Sequence, residues 1–446
     1  MQAIESVLQQ ISNVLWGWPL IILLVGTHIF LTFRLKFIQR YLIRAIKISF
    51  SRKSEGAGDI SHFGALTTAL AATVGTGNIV GVATAIAAGG PGAILWMWLT
   101  GVFGISTKYA EALLSLKYRI TNKDGSMAGG PMYVLERGMN ARWLGLIFAA
   151  LTAVAAFGIG NTVQANSIAS LVQETFNISP WMTGLTLTVL TAVVILGGIK
   201  SIAGVCQRLV PFMAAFYMLG CLLLLIMHYE TIPATFKLIF QSAFSGHAVI
   251  GGFLGAGMKE AVRYGIARGL FSNESGMGSA PIVAAAAQTR NAVRQALVSS
   301  TGTFWDTVVI CAMTGLVLVN SGQWVHGYNG AALTKAAFSD LTFVGPVFLS
   351  IGLLTFVFST ILGWSYYGEK AAEYLAGPRA VMPYRFLWVG AVMLGSVMSL
   401  PAVWTFADIA NGLMAIPNLI SLLFLNKIIV SETKQFLWEG SPDDPT

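Results

Sequence analysis

The stretch AATVGTGNIVGVATAI, residues 71–86, places Gly75, Gly77 and Gly81 inside an otherwise apolar run. Its G-x-G-x-x-x-G spacing is one residue from the fingerprint that cradles a dinucleotide pyrophosphate. That fingerprint requires a β-branched strand before it and an acidic residue about 20 positions after it. Here ALTTALAAT precedes the glycines and GPGAILWMWLTG comes after them, so neither requirement is met. The glycines therefore interrupt something other than a nucleotide-binding turn.

Composition says what. Of 446 residues, 55% are hydrophobic and 10% are charged, against roughly 25% charged in a soluble domain. Apolar runs recur along the whole chain, each near the roughly 20 residues a helix needs to cross a bilayer. The reading is an all-α polytopic membrane protein of about eleven transmembrane helices, over 16–33, 64–87, 90–116, 144–172, 181–198, 207–228, 262–287, 294–319, 342–364, 384–401 and 404–427. The first run has no small-residue cleavage site and leads into a basic segment, which marks it as a retained helix rather than a signal peptide.

The net charge of +8 does not point to nucleic acid, because the basic residues alternate by loop. They gather at 34–53, 117–142, 200 and 208, 290 and 294, 370–385, and 427 and 434. By the positive-inside rule these loops are cytoplasmic, the N-terminus is extracytoplasmic and the C-terminus is cytoplasmic in an inner membrane. Cys206, Cys221 and Cys311 read as small apolar residues. The five histidines lack metal-ligand spacing.

A second interruption, FSNESGMGSA at 271–280, resembles the first in setting glycines among small polar residues at membrane depth. With the leading helix set aside, the interruptions fall in helices 1 and 6 of ten. Two halves of five helices must enter the membrane from opposite sides, which makes an inverted repeat with broken core helices 1 and 6. The expected divisions are 1–58 (extra N-terminal helix and basic loop), 59–228 (first repeat), 229–261 (extracellular amphipathic segment), 262–427 (second repeat) and 428–446 (tail). Small residues also let helices pack closely, but packing does not explain Asn78, Asn273, Glu274 and Ser275 beside the glycines. Irregular backbone survives at depth where it lines a cavity, and paired broken helices point to a transporter's central site.

Unwinding frees amides on one side of a break and carbonyls on the other. The amides of Thr76, Gly77 and Asn78 suit a carboxylate, and freed carbonyls suit a hard cation. The run GTGNIVGVATAIAAGGPGAILWMWLTG, with NESGMGSAP in the second half, resembles the signature of the sodium:alanine (alanine or glycine:cation) symporters, and the resemblance extends over essentially the whole chain. It implies a leucine-transporter-like fold, Na⁺ as coupling ion, import of small neutral amino acids such as alanine or glycine, and no enzymatic chemistry. It further implies that the carbonyls of Ala71 and Val74 hold Na⁺ with the hydroxyls of Ser359 and Thr360, and that Thr73 and Asn78 match a weaker second position. Ala72 stands where relatives carry a polar residue, which suggests one Na⁺ rather than two.

The residues themselves supply further candidates. Gln164, sharing a helix face with Asn161 and Gly160, and Asn273 are expected to accept from the substrate ammonium. Phe271, Met277 and Trp364 are expected to wall a small side-chain pocket. Buried charge is costly and singles out Glu274, Glu111, Asp306 and Asp408. Glu274 could orient Asn273 or carry a coupling proton, whereas Glu111 is expected to pair with Lys108 three residues earlier. A proton-coupled symporter and a substrate-gated channel are the rival readings.

Overall fold

The computed structural model describes residues 2–51, 56–244, 257–341, 344–398 and 401–444. Each of the eleven expected spans coincides with a helix or an interrupted helix. Among the described residues seven helices are long and apolar enough to cross a membrane, and an eighth span is the bent pair His62–Thr73 and Gly77–Gly89. Among those same residues the only strands are the two-residue pair β1 (Ile120–Thr121) and β2 (Met127–Ala128).

The chain opens with α1 (Gln2–Leu15), a helix not anticipated before residue 16, and α2 (Trp18–Arg34), the expected leading span, begun by Pro19. After the short α3 (Leu42–Ser49), Ser61 caps α4 (His62–Thr73) by accepting from Gly64 N at 3.0 Å. The helix stops at Val74, whose ψ of 94° is extended, and resumes as a π-turn over Gly77–Gly81 and then α5 (Val82–Gly89), bent by 53°. This is the interruption expected from the glycines. The next elements are α6 (Ala93–Lys117), the single turn α7 (Pro131–Tyr133), α8 (Arg142–Phe157) and α9 (Val163–Phe176), the last two joined by a π-turn at Gly158–Thr162. Then come α10 (Pro180–Ile195), α11 (Gly198–Met227) and α12 (Ile232–Phe244). The last is the helix expected between the halves; part of that expected segment, 245–256, lies outside the described residues.

The second half begins at Met258, slightly before the expected 262. Helix α13 (Met258–Asn273) ends at Glu274, left-handed at φ 54°, and positive φ at Gly276 (90°) and Gly278 (84°) prevents helical continuation. Beyond the break the chain forms a single turn, α14 (Pro281–Ala284), rather than a long half-helix. Asn291 caps α15 (Ala292–Thr303), which runs through a π-turn, Phe304–Cys311, into α16 (Ala312–Asn320). Helices α17 (Gly330–Phe338), α18 (Val344–Ala376), α19 (Val381–Val397), α20 (Pro401–Phe424) and α21 (Asn426–Thr433) complete the chain.

Helices α5, α13 and α15 pack on α6, while α8, α9, α18 and α19 pack together as a second group. Close approach inside the first group relies on glycine. A Cβ on Gly265 would lie 2.2 Å from Ala93 O, and one on Gly269 would lie 2.2 Å from Thr100 Oγ1. These two, four residues apart, are packing glycines of the kind membrane helices favour. Gly276 and Gly278 serve backbone conformation instead.

Candidate functional site

The two breaks abut. A Cβ added to Gly77 would sit 3.4 Å from Ser272 Cα and 3.5 Å from Phe271 Cδ1, so the first break faces the start of the second across a van der Waals gap.

At the first break, α18 approaches the last turn of α4. Ser359 Oγ lies 3.3 Å from Ala71 O, and Thr360 Oγ1 lies 3.4 Å from Val74 O. Both hydroxyls are also within reach of Phe356 O, at 2.8 and 3.0 Å. Donating there, as helical Ser and Thr commonly do, leaves their lone pairs facing the two carbonyls. A hard cation of Ca²⁺-like size holds oxygens at roughly 2.3–2.6 Å, which spaces neighbouring ligands set at right angles by about 3.3–3.7 Å. Each of the two cross-helix pairs among the four oxygens that the family resemblance names is thus held at that spacing. Thr73 turns elsewhere, its hydroxyl reaching Ala69 O and Leu70 O at 3.2 and 3.4 Å.

The amide side of the break is shaped by Asn78. Its Oδ1 accepts from Gly75 N at 2.9 Å, and its own backbone N–H donates to Gly75 O at 3.3 Å. Among the described residues no backbone turn supplies an acceptor for the Thr76 and Gly77 amides. Gln164 arrives from α9, where Nε2 donates to Ile159 O at 2.9 Å and to Thr76 Oγ1 at 3.3 Å. Its Oε1 is buried with no hydrogen-bond donor, near the space over Gly75. An unpartnered buried carbonyl is costly, and an ammonium would satisfy it.

Asn273 is placed differently from Gln164. Its Oδ1 accepts from Ser275 N at 2.9 Å and its Nδ2 donates to Thr307 Oγ1 at 3.1 Å, so it caps the break it belongs to. Met277 is fully buried, and Phe271 lies half-buried beneath Arg268 and beside Gly77. Trp364 is buried against Gly160, where a Cβ would fall 2.2 Å from Trp364 Cβ, and it meets Tyr367 edge-on at 5.4 Å. Glu274 accepts from Ser279 Oγ at 2.5 Å rather than from Asn273.

Asp306 proves more central than its standing as one of four costly charges. In the π-turn between α15 and α16 it accepts from Asn78 Nδ2 (2.7 Å), Ser272 Oγ (2.9 Å) and Thr307 Oγ1 (2.7 Å). One carboxylate thereby ties the first break to the second. Sequence reasoning missed Ser272; the signal available was a hydroxyl inside the second interruption. Asp408 lies apart, lining a cavity of about 200 Å³ with Arg268 and Phe271. A second cavity, of about 290 Å³, opens beside Val80 under α17, with Leu171 and Leu353 on its walls.

On the side carrying the basic loops, hydrogen bonds link the segment before α4 to the segment after α14. Asp59 N and Ile60 N donate to Ala286 O (2.7 and 3.1 Å), and Gln288 N donates to Ile60 O (2.7 Å). Arg119 donates to Ala285 O, Ala287 O and Ala57 O, each at 2.9 Å. Burial pushes the Asp59 carboxyl above its usual range, against the Met127 N–H that it accepts at 2.9 Å. The tail closes over the same region: Asn291 Nδ2 donates to Pro442 O and Asp444 O, and Arg294 pairs with Asp443.

Residues 1–443 match the model of the sodium:alanine symporter family. The sodium/alanine symporter AgcS of Methanococcus maripaludis is 51% identical over 442 residues, covering 97% of either chain. The amino-acid carrier protein AlsT of Bacillus subtilis is 35% identical over 95% of this chain and 90% of its own. Among solved structures, a manganese transporter mutant from Eremococcus coleocola superposes with a TM-score of 0.55 at 13% identity, covering 86% of this chain and 81% of that one. That likeness shows a shared transporter fold alone. The whole-chain family match and the broken-helix architecture agree: this chain is a multi-pass membrane transporter rather than an enzyme, and it belongs to the sodium:alanine symporter family.

Proposed function

We propose that the protein imports a small neutral amino acid, alanine or glycine, across the inner membrane by symport with Na⁺. The observation that carries this reading is the approach of Ser359 Oγ to Ala71 O and of Thr360 Oγ1 to Val74 O, each at a spacing suited to neighbouring ligands of a hard cation. Two of these oxygens belong to the first break and two to α18, so Na⁺ binding draws α18 onto the broken helix. The substrate carboxylate meets the Thr76 and Gly77 amides and the ammonium meets Gln164 Oε1, with Phe271, Met277 and Trp364 limiting side-chain size. Repeats 59–228 and 262–427 supply the two breaks, and the basic loops are cytoplasmic.

In proteoliposomes, replacing Na⁺ by choline should abolish concentrative alanine uptake. Uptake that is unaffected by choline and tracks a pH gradient would instead establish the proton-coupled reading. Flux that never exceeds equilibration would mark a channel or facilitator instead.

On this reading the bonds of Arg119 hold the cytoplasmic exit shut while the outer side admits substrate, and one helix group rocks against the other around the fixed site. Arg119→Ala removes three hydrogen bonds across that exit. A cysteine introduced by Ala287→Cys should then react about tenfold faster with a membrane-impermeant thiol reagent from the cytoplasmic side, a shift of ~1.4 kcal/mol in the opening equilibrium. An unchanged labelling rate would remove Arg119 from the gate.

A further inference from the structure

The second break is held from outside the site on three sides. On α6, the buried Glu111 does not bond Lys108, as its spacing suggested; its Oε1 accepts from Gly278 N at 3.0 Å and from Asn418 Nδ2 at 2.7 Å. Asn418, on α20, gives its other proton to Gly276 O at 2.8 Å. Three hydrogen bonds and the backbone from Gly276 to Gly278 therefore close a ring through Glu111 and Asn418. The third side is α2, which lies outside the ten-helix core. A Cβ on Gly276 would lie 2.6 Å from Leu24 Cδ2 and 3.6 Å from His28 Cε1, and His28 Nδ1 is fixed to Thr107 Oγ1 of α6 at 2.7 Å. Lys108 is buried on the same α6 face, one turn past Gly104, whose added Cβ would touch Ser275 Oγ at 2.9 Å.

These contacts end on backbone groups of the break itself. Unwinding strips an N–H and a C=O of helical partners at a depth where water does not replace them. Glu111 and Asn418 supply the replacements from two different helices, so the shape of the break depends on both.

We propose that Glu111 and Asn418 are positioning residues for the substrate site. With the Leu24 and His28 edge of α2, they hold Gly276–Gly278 in the unwound conformation of the second break, whose start at Phe271 and Ser272 abuts Gly77 of the first. The leading helix is thereby part of the transport machinery, not an appendage to it. This rests on the reading of the paired breaks as the substrate site.

The test uses the full chain in proteoliposomes, measuring the KM for alanine separately from the Na⁺ concentration at half-maximal rate. Glu111→Ala should raise the alanine KM by about tenfold or more, as expected when a buried N–H loses its acceptor. Its Na⁺ requirement should stay within about twofold of wild type, because the four oxygens lie on α4 and α18, which Glu111 does not touch. Asn418→Ala should behave alike. The double variant should be worse than the worse single by no more than about twofold, since the two act through one bonded unit. Glu111→Gln keeps an oxygen for Gly278 and Asn418 and should restore most of the KM.

Folded Glu111→Ala or Asn418→Ala protein with an alanine KM within about twofold of wild type would overturn the proposal. So would parallel losses in alanine and Na⁺ affinity, the mark of a general structural role. If Glu111→Ala yields no folded protein, Asn418→Ala decides the matter by the same KM comparison. Failure of the symport reading looks different, because wild-type uptake would itself be independent of Na⁺.

Discussion

Replacing Ser359 and Thr360 together by alanine should raise the Na⁺ concentration for half-maximal alanine uptake by about tenfold to a hundredfold, ~1.4 kcal/mol for each factor of ten. The two hydroxyls supply half of the four proposed oxygen ligands, and methyl groups in their place offer a cation nothing. Folding should change little, because both hydroxyls have Phe356 O as a local partner and that bond is not essential to a helix. Saturating Na⁺ should recover much of the maximal rate. Sodium dependence equal to that of wild type, in protein shown to be folded, would move the ion elsewhere. The pair is better tested together than singly, since a neighbouring water can substitute for one lost ligand.

Gly363→Ala should abolish uptake at physiological Na⁺ without removing a single proposed ligand. Gly363 lies one helical turn beyond Ser359, where α18 crosses α4. A Cβ there would fall 2.7 Å from Ala72 N and 2.8 Å from Ala72 Cα. The obstruction is backbone rather than the end of a flexible side chain, so the helices must separate. Ser359 and Thr360 then withdraw from Ala71 O and Val74 O. Overpacking of this kind costs about 1–3 kcal/mol, so the melting temperature should fall together with Na⁺ affinity. Measured by Na⁺ titration of uptake and by thermal unfolding in detergent, retention of both would show that α18 is not held to the broken helix at this crossing. Gly75→Ala presses on the same site from the other side, because its Cβ would lie 2.5 Å from Thr360 Oγ1.

The legibility of this site from sequence was uneven, for identifiable reasons. That TVGTGN and SNESGMGS are interruptions could be read directly, because glycine and small polar residues at membrane depth contradict the local demand for helix. That residues 71 and 74 meet 359 and 360, as the proposed cation position requires, was available only through the family resemblance. Nothing local relates positions almost 290 apart in the chain. Asn78 and Asn273 were visible as polar residues at the breaks. Their amides have more than one possible partner, and the sequence does not choose among them. The folded chain engages Asn78 with Gly75 and Asp306, and Asn273 with Ser275 and Thr307. Glu111 shows the same limit, because helical spacing suggested Lys108 while packing supplied Gly278 and Asn418 instead.

Composition, the spacing of apolar runs and the two glycine-rich interruptions, all properties of short windows, were enough to determine a polytopic helical protein with paired broken helices. Which side chain completes which break was decided only by tertiary structure. A hydrogen bond at depth is fixed by the few ångströms separating donor and acceptor once helices have packed, and that distance depends on residues such as Gly265, Gly269 and Gly363 that let the backbones meet.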